Sequence, residues 1–154
     1  MYKLASIKKF TDKYFVIILF VFLALFIIFC LIGSAIETKN MLKRPKFTIA
    51  IAITDWHHKN NNGVGTDYMY KLDGVTFRRT ISDSYKKGDK FLIIYDSLKP
   101  EKSQSLPLYP VKQDYIGLKI PENGWKYEEV PFKIDSNIIR EYLNDWNVEP
   151  YEYD

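Results

Sequence analysis

The chain has 154 residues, 47% of them hydrophobic and 16% aromatic, with a formal net charge of +3 and a single cysteine. That length allows one compact domain beside a targeting segment, and one cysteine excludes an internal disulfide framework and paired-cysteine zinc ribbons. Residues 1–36 hold Lys3, Lys8, Lys9 and Lys13 against Asp12, which accounts for the whole +3 and leaves 37–154 formally neutral, so no nucleic-acid partner is expected.

The lysine-rich tail, residues 1–13, precedes an uncharged run over residues 14–36. Twenty-three helical residues span about 34 Å, enough for a hydrocarbon core of about 30 Å. A helix satisfies its own backbone groups in lipid, and this one is apolar on every face, so the reading is a single-pass transmembrane helix with the lipid bilayer as its partner. A cleaved signal peptide competes, with Gly33-Ser34-Ala35 as the small residues near a cut. The apolar run exceeds the 7–15 residues of a signal core, which favours an uncleaved anchor. Ile28 and Phe29 before Cys30 do not fit a lipoprotein signal, and Cys30 is read as an apolar residue of the span. Flanking charges tie, with Lys39, Lys43, Arg44 and Lys46 balancing the four N-side lysines. The short N-terminal tail then sets the expectation: tail in the cytoplasm, C-terminal domain extracytoplasmic at the cell membrane.

Residues 37–46 are polar, contain Pro45 and read as a juxtamembrane linker. A β-rich domain with a C-terminal helix is expected over 47–146. Phe47, Ile49, Ile51 and Ile53 alternate with Thr48, Ala50, Ala52 and Thr54, the period of a half-buried strand. Residues 59–65 read as a loop by composition. Asp67–Leu72 and Val75–Ile81 are joined by Asp73-Gly74, the pair that suits a type I′ turn. Two-residue register sets Leu72 opposite Val75 and Tyr70 opposite Phe77 on one face, with Lys71 opposite Thr76 and Met69 opposite Arg78 on the other.

Residues 82–89 form a turn, and Lys90–Tyr95, apolar on both faces, reads as a central strand. Pro107, Pro110 and Pro121 restrict the next segment to short or edge strands, the best being Tyr115–Ile120, and Asn123-Gly124 is a further turn. Ile138, Ile139, Tyr142, Leu143 and Trp146 share a helical stripe that Asp135 or Ser136 can cap and that should lie on the sheet. Residues 147–154 form an acidic, aromatic tail, read as a frayed end with a partner peptide as the alternative. The expected fold class is α+β: a single N-terminal transmembrane helix, a small, mainly antiparallel β-domain of about five strands, and one C-terminal helix.

Tyr68-Met-Tyr-Lys-Leu-Asp-Gly-Val-Thr-Phe77, followed by Gly88-Asp-Lys-Phe-Leu-Ile-Ile-Tyr-Asp-Ser-Leu-Lys-Pro100, resembles small bacterial membrane proteins carrying the domain of unknown function numbered 3592. The likeness covers about residues 47–103 and lacks the second membrane span many of those proteins have. It implies a membrane-anchored bacterial β-domain and supplies no catalytic residues.

No chemistry-bearing constellation stands out. His57 and His58 are adjacent, and strand neighbours point to opposite faces, so on a strand they share a metal poorly; in a loop they could share one with Asp55 or Asp67 nearby, but a mononuclear site wants three or four ligands. Asn62-Gly-Val-Gly65 lacks the Lys-Ser/Thr of a phosphate loop and the third glycine of a dinucleotide fingerprint. Glu128 and Glu129 diverge on an expected strand, and Tyr85 with Lys86 and Lys87 has no nucleotide fold around it. Tyr70, Phe77, Arg78 and Arg79 interleave aromatic and basic residues as base-stacking surfaces do, although cross-strand aromatics more often pack together. No residue is nominated as catalytic, cofactor-binding or metal-ligating, and no cofactor is expected. The function expected is a non-enzymatic, envelope-associated interaction module that meets another membrane protein or a ligand through its sheet or acidic tail. Alternatives are an immunity or inhibitor protein at the membrane, or an enzyme whose unrecognised site needs a cleft of converging polar groups.

Overall fold

The computed structural model describes residues 2–59, 63–111 and 117–144. Two compact units divide the chain, residues 1–37 and 38–154. The first lies in helix α1 (Tyr2–Lys43), whose large side chains from Phe15 to Ile32 are exposed, as is Cys30. This helix is long and apolar enough to cross a membrane.

The second unit bears out the α+β expectation: an antiparallel, curled sheet with a short helix after it. Its strands are β1 (Pro45–Ala52), β2 (His57–Lys59), β3 (Gly63–Leu72), β4 (Val75–Ile81), β5 (Lys90–Asp96) and β6 (Lys99–Pro110). β1 lies between β3 and β5, β4 extends the sheet beyond β3, and β6 extends it beyond β5. β2 pairs with the start of β3, His58 opposite Val64. The sheet curls far enough that its outer strands, β4 and β6, touch.

The β3–β4 hairpin follows from its turn. Asp73 and Gly74 have φ of 47° and 80°, the two positive angles of type I′, and Leu72–Val75, Tyr70–Phe77, Lys71–Thr76 and Met69–Arg78 are partners as the two-residue loop dictates.

β1 departs from the half-buried reading, because both of its faces are covered. Phe47 and Ile49 join Met41, Leu42, Leu92, Ile94, Leu106, Trp125, Val130, Ile134, Ile139 and Leu143 in one core. Ala50 and Ala52 lie in a second core with Tyr68, Tyr70, Leu72, Phe91, Ile93 and Tyr95. The small side chains of Ala50 and Ala52 leave volume for tyrosine rings, so the alternation of large and small residues marks two covered faces. β5 is buried on both sides and feeds both cores, as its apolar run predicts.

Four further differences are physical. The segment expected as a linker, 37–46, is helical to Lys43 and enters β1 at Pro45, with Thr38, Met41 and Leu42 buried. Two apolar residues inside a charged run suffice to dock it. β6 runs through Pro107 and Pro110 as an outer strand laddered to β5, the edge position to which those prolines restrict it, but it begins as early as Lys99 and is twelve residues long rather than short. In place of the strand expected at Tyr115–Ile120, residues 117–120 are a turn and extended chain, and 115–116 fall outside the described residues. Glu128 and Glu129 sit in a 3-10 turn (Tyr127–Glu129), not a strand.

Helix α2 (Ser136–Tyr142) is capped by Asp135, whose carboxylate accepts from the amides of Asn137 and Ile138 at 2.8 and 3.3 Å. Ile139 and Leu143 enter the core shared with β1 and β5, whereas Ile138 is exposed. Trp146 and the tail 147–154 lie outside the described residues.

Candidate functional site: a polar cleft at the sheet seam

The curl brings β4 to β6, and a cleft of about 270 Å³ opens at their seam. Tyr68 of β3, Thr80 and Ile81 of β4, Ser82 and Asp83 after it, Ser103, Gln104 and Ser105 of β6, and Tyr142 of α2 form its walls.

Local bonding explains how the wall groups are held. The Thr66 hydroxyl donates to the Asp83 carbonyl at 2.9 Å and accepts from the Tyr85 amide at 3.2 Å. Trp56 N–H donates to Tyr85 O, Lys87 N–H to the Asp55 carboxylate, and Gly88 N–H to Ala52 O. These bonds strap residues 82–89 along the end of β1 and the start of β3, so a stretch that reads as a simple turn places Asp83 at the seam. Ser105 then donates to Asp83 Oδ2 at 2.8 Å across the gap from β6. Ser103 and Tyr68 share a hydroxyl–hydroxyl bond of 3.0 Å, and Tyr70 donates to Pro100 O.

The rings around Tyr68 form a contiguous cluster. Tyr68 lies beside Tyr70 at 6.1 Å and edge-on to Phe91 at 5.4 Å; Tyr70 stacks on Phe77 at 5.3 Å, and Tyr85 on Phe91 at 4.1 Å. The stacking faces of Tyr70 and Phe77 are turned on each other, which is packing rather than a platform for bases. Burial pushes Tyr68 above the ordinary tyrosine range, with Arg79 and the Ser103 bond opposing it. Burial raises Tyr85 further, reinforced by the negative charge of Asp83, and Tyr142 moves up for the same two reasons. The Tyr85 hydroxyl is buried without a hydrogen-bond partner. At neutral pH these phenols are protonated, so they donate and accept hydrogen bonds rather than take protons. Asp83 contacts Ser105 with no imidazole between them, and a carboxylate alone is a weak base for a hydroxyl nucleophile.

The residues singled out in the sequence are not brought together here. His57 and His58 occupy successive positions of β2; His57 Nδ1 bonds Asp55 O at 2.9 Å, and His58 meets the Trp56 ring edge-on at 5.3 Å. Among the described residues no three His, Cys, Asp or Glu side chains group as a metal site requires. Of Asn62–Gly65, residue 62 falls outside the described residues and Gly63–Gly65 begin β3. Arg78 and Arg79 are exposed on β4, Arg79 opposite Tyr68. No motif spaces Asp83, Ser103 and Ser105, and Tyr142 reads in the sequence only as part of the helical stripe; the curl of the sheet makes them neighbours.

No family model, curated protein or solved structure matches this chain.

Proposed function

We propose that this chain is a membrane-anchored, non-enzymatic contact module of a bacterial cell envelope. Residues 14–36 cross the cell membrane once, and the β-domain stands on the extracytoplasmic side, where it meets another envelope component. The observation that carries this reading is the run of exposed apolar side chains from Phe15 to Ile32 on α1, a surface that costs about 25 cal/mol per Å² to hold in water. The bacterial setting rests on the likeness of β3, β4 and β5 to small bacterial membrane proteins with the domain of unknown function numbered 3592. The non-enzymatic part is supported by a seam whose tyrosines hold their protons and whose carboxylate has no imidazole to work through.

Two measurements test the placement. The full chain should stay with the membrane pellet after alkaline carbonate washing, and protease added to spheroplasts should digest residues 47–154. Extraction by carbonate removes the anchor reading. Protection of the β-domain until the membrane is permeabilised reverses the orientation.

A further inference from the structure

We propose that the cleft between β4 and β6 binds one ring of a neutral, polyhydroxylated ligand: a sugar unit, free or at the end of a glycan. The cleft lies wholly within residues 68–142, so a ligand there is independent of how α1 sits in a membrane.

Size comes first. About 270 Å³ lies just below the usual 300–1,000 Å³ of pockets for drug-sized molecules, which suits a single ring. Chemistry comes second. Such pockets are mostly apolar, and this one is not: hydroxyls of Ser103, Ser105 and Tyr142 and the Asp83 carboxylate converge on it. Hydroxyls both give and take hydrogen bonds, and a carboxylate accepts from two neighbouring hydroxyls at once, which is the demand of a vicinal diol. Tyr142, 37% exposed at the mouth, adds an apolar ring face for the C–H side of a sugar.

Charge decides among polar ligands. Among the described residues that line the cleft, Asp83 is the only ionisable one apart from the tyrosines, which disfavours an anion. A cation is offset by Arg79, whose charge is felt at both Tyr68 and Tyr70. A neutral ligand meets neither penalty.

Two wall residues, Asp83 and Ser105, also act on the buried Tyr85 hydroxyl, which is not itself a wall group.

The test uses the full chain in lipid nanodiscs, because glycoside detergents would compete. Saturation-transfer NMR is run with glucose, N-acetylglucosamine and the disaccharide chitobiose, with inorganic phosphate and choline as charged controls. Transfer to at least one sugar is expected, with affinity weakened about tenfold in Asp83→Asn, the loss of a charge-assisted bond. Tyr142→Phe, at an exposed position that leaves the fold intact, should weaken it measurably as well. Transfer confined to one ring of chitobiose assigns a glycan end, whereas binding of monosaccharides alone assigns a free sugar. The proposal fails if no sugar receives transfer, if both variants bind like the parent, or if only phosphate or choline binds. Circular dichroism of each variant separates lost binding from lost folding. Sugar binding with a protected β-domain would overturn the proposed extracytoplasmic orientation and leave the cleft assignment standing.

Discussion

Arg44 grips Asp96 with both arms of its guanidinium, Nε to Oδ1 at 3.1 Å and Nη2 to Oδ2 at 2.8 Å. Asp96 is 2% exposed at the end of β5 and also accepts from the Leu98 amide, while Arg44 sits between α1 and β1 and its own carbonyl accepts from Ser97 N–H. Removing the cation strands a buried carboxylate, so Arg44→Ala should cost about 2–3 kcal/mol. Arg44→Lys, which keeps the charge but loses the two-pronged geometry, should cost about 1 kcal/mol. Urea unfolding of the full chain in micelles, followed by tryptophan fluorescence, reads both; equal midpoints for the two variants would contradict the geometric account.

The tyrosines set an alkaline limit on the fold. Burial pushes Tyr70 up to about 12 and raises Tyr68, Tyr85 and Tyr95 in the same direction. In the unfolded chain tyrosine ionises near 10. Between those values the unfolded state has released protons that the folded state still holds, so unfolding is favoured as pH climbs. Stability should be unaffected by these groups below about pH 10 and fall above it. Phenolate absorbance should rise in two stages, the second coincident with loss of near-ultraviolet circular dichroism. A single smooth titration of all twelve tyrosines near 10 would contradict it.

Tyr85→Phe isolates one hydroxyl. The ring stacked on Phe91 at 4.1 Å is kept, and a buried oxygen without a partner is removed. The variant should gain up to about 1 kcal/mol in ligand-free unfolding experiments, reversing the usual sign for deleting a polar group. A loss of stability would mean that the hydroxyl is bonded in solution.

Two turn glycines should differ sharply. Gly74 has φ +80° and open space around it, so Gly74→Ala carries only the left-handed backbone penalty of about 1–2 kcal/mol. Gly124 has φ +69°, and an added methyl would meet the Tyr95 hydroxyl and stand 2.6 Å from the Phe47 carbonyl. That carbonyl accepts from Trp125 N–H at 2.8 Å in the bridge that fastens the C-terminal segment to β1. Gly124→Ala should therefore be the more destabilising of the two by at least about 1 kcal/mol, as measured by thermal unfolding.

On α2, neighbouring isoleucines give a face test. Ile139 is fully buried and Ile138 is 47% exposed. Ile139→Ala should cost about 2–4 kcal/mol and Ile138→Ala less than about 0.5 kcal/mol by the same melts. Similar losses would mean that the helix is rotated from this placement.

The elements that could be read in the sequence are those whose cause is local. Asp73-Gly74 dictates a turn whose register follows from its length, β5 announces burial on both faces, and Asp135 marks the start of α2. The elements that could not be read have distant causes. β6 carries Pro100, Pro107 and Pro110 and turns Ser103 and Ser105 inward, where the Tyr68 hydroxyl and the Asp83 carboxylate satisfy them. Polarity is a surface signal only when no partner waits inside. Met41 and Leu42 are similarly masked by the charges of Lys39, Lys43 and Arg44 around them. The seam cleft had no sequence signature, since its walls come from β3, β4, β6 and α2 and meet only through the curl.

The end of α1 sets where this protein can be cut. A soluble version trimmed at the apparent linker, beginning at residue 47, would discard Met41 and Leu42 from the core, the Arg44 partner of Asp96 and the first two residues of β1. A version beginning at residue 38 keeps all of them and leaves behind the exposed apolar stretch. Shedding of the β-domain by a protease would obey the same boundary: cleavage before Thr38 releases a folded unit, and cleavage a few bonds later releases one with a hole in its core.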